Sequence, residues 1–158
     1  MTGYSPLDIQ AFANQIYGGR PIVILPYAYP LTFTSLTQNQ TQTQQLSITA
    51  NADFILTGIK HRASVAAAAQ TVSTKTAPFV RMLVTDSGTN EQYTSSAIDL
   101  ENYSTNSASM AGRLPYPRFI AGRTSLTVTV TNYSGGAGET YLLDVSFEGV
   151  LVRTYSTV

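Results

Sequence analysis

Two stretches decide the fold: Ser125-Leu-Thr-Val-Thr-Val-Thr-Asn132 and Leu143-Asp-Val-Ser-Phe-Glu148. In the first, Leu126, Val128 and Val130 point one way, and Ser125, Thr127, Thr129 and Thr131 point the other. In the second, Leu143, Val145 and Phe147 alternate with Asp144, Ser146 and Glu148. Successive strand side chains point to opposite faces. Period two with polar residues opposite apolar ones therefore means a half-buried antiparallel sheet. The glycine-rich stretch Asn132-Tyr-Ser-Gly-Gly-Ala-Gly138 between them reads as a turn.

The same pattern recurs upstream. Val80, Met82 and Val84 alternate with Arg81, Leu83 and Thr85, and Asp86-Ser-Gly-Thr-Asn90 is a strong turn. Leu31, Phe33 and Ser35 alternate with Thr32 and Thr34, and Leu46, Ile48 and Ala50 alternate again. Phe54-Ile55-Leu56 continues that strand after a kink at residues 51–53, and Ile22-Val23-Ile24-Leu25 is a short buried run closed by Pro26. Residues 27–30 read as a Pro/Tyr-rich turn, 63–70 as a loop, with one or two helical turns or a small-side-chain strand as the alternatives, and 90–110 as a weak strand with a long loop. The polar run from Gln38 to Gln45 is either a solvated hairpin connection or a Gln/Thr ladder against a partner strand. Short strands without βα alternation predict an all-β chain, an antiparallel β-sandwich or jelly-roll-like body over residues 31–158.

Residues 1–30 read as an N-terminal arm with a short amphipathic helix. Ser5 is the N-cap, Pro6 the first helical residue, and Gly18-Gly19 the stop. Ile9, Phe12, Ala13 and Ile16 form one apolar stripe. The stripe must be buried against the body of the domain or a neighbouring molecule. Ile9, Phe12 and Ile16 are therefore candidate partner-binding residues.

Composition narrows the chemistry. The 158 residues carry no net charge, and only 11% are charged. Ser and Thr number 37 and Asn and Gln 16, so uncharged side chains supply the polarity. No basic field exists to hold nucleic acid specifically. With Cys 0 and His 1, disulfides, thiol nucleophiles and multi-histidine metal sites are excluded. The start lacks the pattern of a signal peptide, and no apolar stretch is long enough to predict a membrane span. The sequence implies no cofactor.

His61 sits between Lys60 and Arg62, with no nucleophile-elbow pattern in the chain, and reads as a surface or subunit-contact histidine. Asp99 and Glu101, at i and i+2, read as a solvated pair or as partners for arginines rather than as glycosidase carboxylates. Three Asn-x-Ser/Thr triplets, at Asn39, Asn102 and Asn132, reflect composition. The segment Gly112-Arg-Leu-Pro-Tyr-Pro-Arg-Phe-Ile-Ala-Gly-Arg123 is more informative. Its prolines force an extended segment, and arginine among Tyr, Phe and Pro is an interface composition. Arg113, Tyr116, Arg118 and Arg123 are therefore candidate partner-binding residues. Pairing of these arginines with Asp99, Glu101 or Asp144, and phosphate or polymer binding, are the alternatives.

The run from Pro117 to Asn132 and the run from Leu143 to Gly149 resemble small virion structural proteins of tailed bacteriophages. Ile24-Leu-Pro-Tyr27, Phe54-Ile-Leu-Thr-Gly-Ile59 and Arg81-Met-Leu-Val-Thr-Asp-Ser-Gly88 match the same pattern loosely. The resemblance implies a β-sandwich body and a non-enzymatic structural role in a particle. It implies no catalytic residues.

The expected function is a capsid cement or decoration protein. It would stabilise the shell by binding across subunit junctions, in a virion assembled in the bacterial host cytoplasm. The expected partners are its own copies, as a homotrimer or ring, and the major capsid protein or a neighbouring virion protein. Neither specific nucleic acid nor membrane is expected as a partner. The alternatives are a neck, collar or tail ring protein, or a carbohydrate- or receptor-binding β-sandwich module carrying Tyr93, Tyr103, Tyr116 and Tyr133 in loops. On this reading, a chain lacking residues 1–19 stays folded but loses attachment.

Overall fold

A computed structural model of the chain describes residues 4–65, 71, 74–103, 105–106, 114–135 and 138–155. It contains helix α1 (Pro6–Tyr17), strands β1 (Ile22–Leu36), β2 (Thr41–Ser47), β3 (Asp53–Val65), β4 (Lys75–Thr76), β5 (Val80–Asp86), β6 (Glu91–Gln92) and β7 (Ile98–Asp99), and the single-turn α2 (Leu100–Tyr103). After these come β8 (Thr105–Asn106), β9 (Arg118–Ile120), β10 (Ser125–Asn132) and β11 (Tyr141–Thr154). The strands form two sheets. One runs β1-β11-β3-β4, with β8 and β9 also on β3; the other runs β2-β10-β5-β6, with β7 on β5. Pairing is antiparallel except for the short β3–β8 contact. The chain is an all-β sandwich with a short N-terminal helix.

The alternations predicted for β5, β10 and β11 appear as alternating burial. Phe33, Phe54, Leu56, Met82, Leu126, Val128, Leu143 and Phe147 meet between the sheets in the main core.

Two short runs depart from alternation, and each sits where both faces of the first sheet are covered. In β3, Phe54 and Leu56 enter the main core while Ile55 faces the other way. In β11 a bulge at Glu148/Gly149 precedes Val150-Leu-Val152. Leu151 then belongs to the main core, and Val150 and Val152 to the outer face. In β1, Ile22 and Ile24 pack against that outer cluster, whereas Val23 and Leu25 stay 40% and 43% exposed, so the run predicted to be buried is covered on one face only. Helix α1 supplies the cover, with Ala13 and Tyr17 buried and Ile9 and Phe12 partly buried in the same cluster.

The helix begins as expected. Ser5 and Asp8 form a reciprocal capping box, Pro6 follows the cap, and Gly18 closes the C-terminus at φ 61°. Its buried stripe is rotated from the predicted one: Tyr17 takes the place of Ile16, which is 37% exposed. The arm also ends earlier than residue 30. β1 is one strand from Ile22 to Leu36 and pairs with β11 throughout, so residues 27–30 are strand rather than turn. Pro26 and Pro30 are tolerated because β1 is an edge strand, with one side outside the ladder. Residues 63–65 complete β3, whereas 66–70 of the predicted loop lie outside the described residues.

The Gln/Thr run resolves into a turn and then β2. Thr41 pairs with Thr131 through hydroxyls 2.8 Å apart, and Thr43 with Thr129 at 3.0 Å. The glutamines do a second job. Gln42 Nε2 donates to Ser35 O at 2.9 Å, and Gln44 Nε2 donates to Thr32 O at 2.7 Å. β1 and β2 are the neighbouring edges of the two sheets, and these amides satisfy backbone acceptors that the edge of β1 would otherwise leave to water.

Two outcomes follow from this packing. A Cβ on Gly149 would lie 1.9 Å from Ile55 O, so Gly149→Ala must displace the bulge and should cost about 3 kcal/mol or more in urea unfolding. Deleting residues 1–19 uncovers Ile55, Val150 and Val152. At about 1.5–3 kcal/mol per fully buried aliphatic side chain, the truncated chain should melt far lower or aggregate rather than stay folded; an unchanged melting temperature would refute this packing account.

Candidate functional site

The segment after residue 113 is threaded along β3 and pinned at several points. Leu114 N donates to Thr57 O at 2.8 Å, and β9 pairs with Phe54–Leu56. Gly122 N donates to Asp53 Oδ1 at 2.7 Å. Helix α1 lies against the same segment. The Tyr17 hydroxyl donates to Asp53 Oδ2, and the Tyr4 hydroxyl donates to Leu114 O. Phe12 meets Tyr116 edge-to-face with centroids 5.5 Å apart, and Tyr17 meets Phe119 at 6.2 Å.

This arrangement leaves a groove beside α1. It has two adjoining cavities of about 350 and 360 Å³, and Tyr93, Tyr116 and Arg118 line both. Thr94, Ile98, Asn102, Leu114 and Pro115 also line the first; Phe12, Glu91 and Phe119 stand in the second. The Arg118 guanidinium lies over the Tyr93 ring, 4.1 Å from its centroid, and its Nη1 is 3.4 Å from Glu91 Oε1. Stacking and the carboxylate together hold the arginine in place. The Tyr116 ring is 66% exposed.

The predicted partner-binding residues separate on this framework. Phe12, Tyr116 and Arg118 come together at the groove. Ile9 turns onto the protein's own sheet, and Ile16 stays half open to solvent. Arg123 occupies the turn before β10 at φ 68°, with its N–H donating to Thr49 O at 3.3 Å. Arg113 lies outside the described residues.

The acids have other partners than expected. Asp99 accepts from the Tyr133 hydroxyl, Asp144 pairs with Arg62 at 3.0 Å, and Glu101 lies 2.7 Å from His61 Nε2. Asp99 and Glu101 do not share a strand, since α2 begins between them. His61 is a buried residue of β3 rather than a surface one, at 2% exposure. Its flanking cations face elsewhere: Lys60 pairs with Glu148 at 3.3 Å, and Arg62 with Asp144.

No family model matches the chain, and no curated protein matches it in sequence.

Sequence reasoning named Tyr93 with Tyr116 for the carbohydrate-binding alternative but missed Glu91, Asn102 and Phe119 as members of one groove. It also missed Val23, Leu25 and Tyr27, which remain 40%, 43% and 44% exposed on β1. Four consecutive apolar residues followed by proline was the available signal for that edge.

The Tyr17–Asp53 contact makes a pH prediction. Burial, then the hydrogen bond to Asp53, raises the Tyr17 phenol above its ordinary 10.0. Below that pH the phenol is protonated in both folded and unfolded chains. Above it the unfolded chain ionises first, so stability falls as pH rises through and beyond 10. Tyr17→Phe should cost about 1–2 kcal/mol at pH 7 by leaving Asp53 Oδ2 without its donor. It should also flatten the alkaline loss, measured by urea unfolding at pH 7 and above 10; an unchanged alkaline slope would contradict the assignment.

Proposed function

We propose that this chain is a non-enzymatic structural protein of a tailed-bacteriophage particle. In this reading it is a capsid cement or decoration protein that acts as a homotrimer or ring across shell-subunit junctions. The observation that carries the reading is the open half of strand β1.

Residues 22–36 contain no charged side chain. Natural edge strands are usually protected by charge, bulges or cover, because free N–H and C=O groups recruit other strands. Here Gln42 and Gln44 cover the edge at Thr32 and Ser35. Among the described residues, no strand pairs with the other side of β1 along residues 22–30. That stretch presents Val23, Leu25 and Tyr27 on one face, each at least 40% exposed. Pro26 and Pro30 remove two backbone donors, which limits open-ended stacking while leaving apolar contact available. A small neutral domain with such an edge suits packing against copies and neighbours. The resemblance of residues 117–132 and 143–149 to virion proteins points the same way, and those residues form β9, β10 and much of β11.

In purified particles the chain should be present at a ratio near one, or one-half, to the main shell protein. A very small ratio would move it to a neck or tail ring, and absence from particles would overturn the virion reading. Leu25→Glu lies on the exposed part of the edge, so it should change folding stability by less than about 1 kcal/mol yet abolish self-association in sedimentation and attachment to particles.

A further inference from the structure

We infer that the groove beside α1 is a binding site for a neutral saccharide, spanning two adjoining sugar-ring subsites. This goes beyond the assembly role and does not depend on it.

The lining argues for that chemistry. Small-molecule sites are mostly apolar and aromatic, with a few placed polar groups, and start at about 300 Å³; each of the two cavities reaches that size. The exposed ring of Tyr116 offers a flat apolar face that Phe12 holds edge-on at 5.5 Å, so the platform is pre-set by the helix rather than ordered on binding. Hydrogen-bonding groups stand around it: the Asn102 amide, the Thr94 hydroxyl and the Arg118 guanidinium. A pyranose presents the complement, an apolar face of C–H groups and a rim of hydroxyls that both donate and accept.

Charge selects a neutral ligand. Among the described residues, Arg118 is the cation lining both cavities, and it is stacked on Tyr93 and paired with Glu91. Asp86 adds a second carboxylate to the second cavity. An anionic ligand would have to displace Glu91 and then face Asp86, whereas a hydroxyl can take the unused N–H groups of Arg118 without breaking the pair. A proline-rich peptide could also lie on Tyr116. It would use the aromatic face but leave the amide and guanidinium donors beside it largely unused.

The test uses the full chain on an array of neutral hexose, deoxyhexose and N-acetylhexosamine oligosaccharides, with the strongest binder carried into calorimetric titration and amide-resolved NMR. At least one oligosaccharide should bind saturably and shift residues 93–102 and 114–119. Relative to the unaltered chain, Tyr116→Ala and Arg118→Ala should weaken binding about tenfold or more, while Tyr116→Phe, which keeps the ring, should stay within about threefold. Since Tyr116→Ala also removes the contact to Phe12, Asn102→Ala provides the second arm. Its side chain is exposed, and it should weaken binding about threefold to tenfold with an unchanged melting temperature. The inference is overturned by an array with no binder at millimolar sugar. It is also overturned by a binder that Tyr116→Ala and Asn102→Ala both hold as tightly as the unaltered chain does, or by a proline-rich peptide that shifts the groove residues when no sugar does.

Discussion

Ile55, Val150 and Val152 project from the outer face of a sheet whose inner face is already in the main core, and everything at the N-terminal end of the molecule follows from covering them. Leaving three aliphatic side chains in water would forfeit several kcal/mol, a large share of the stability of a domain this size. The chain solves this locally. Helix α1 folds back, places Ala13 and Tyr17 over the patch, and is closed at both ends by the Ser5–Asp8 box and Gly18. The helix therefore belongs to the domain rather than to a neighbour.

That cover also builds the groove. Tyr17 reaches Asp53, which holds Gly122, and Gly122 anchors the end of the segment carrying Tyr116 and Arg118. Phe12, one turn earlier on the helix, meets Tyr116. The position of the groove's aromatic wall is thus set by the same contacts that bury the outer face. Buried polar groups tie down other parts of the sandwich in a similar way. Asn132 is fully buried, and its amide donates to Leu36 O and Glu139 O while accepting from Ser134 N. Three connections are fastened at one point without any charge.

The polar, nearly chargeless composition makes sense on this framework. Threonine hydroxyl pairs line the β2–β10 face, and glutamine amides close one side of the sandwich by capping carbonyls of the adjacent edge. Uncharged groups can do this in register with the backbone. Where the glutamines stop, the edge of β1 is open and apolar among the described residues. The β1 edge and the groove beside α1 are thus surfaces of different kinds. One is an unpaired backbone edge suited to a protein neighbour, and the other is an aromatic groove with a few fixed donors.

Local periodicity by itself determined β5, β10 and β11, the helix and its caps, and the all-β class, but it joined Leu46–Ala50 to Phe54–Leu56, which β2 and β3 divide between the two sheets. Alternation at residues 125–131 or 143–148 reports burial within one strand, and Ser-Pro-x-Asp reports a helix start within one turn. The tertiary structure alone decided which elements met. Residues 27–30 look like a turn because proline and tyrosine cluster there, but an edge strand has a free side on which proline costs no ladder bond. The helix buries Tyr17 rather than Ile16 because the Asp53 carboxylate waits on β3, far away in sequence. His61 lies inside because the register of β3 against β11 puts it there, whatever its charged neighbours suggest. The groove adds residues 12, 93 and 102 to the segment of Tyr116 and Arg118, and no local pattern links them to it. Short-range sterics and hydrophobic alternation are written in consecutive residues, whereas contacts between distant segments exist only after the sheets have been ordered and packed.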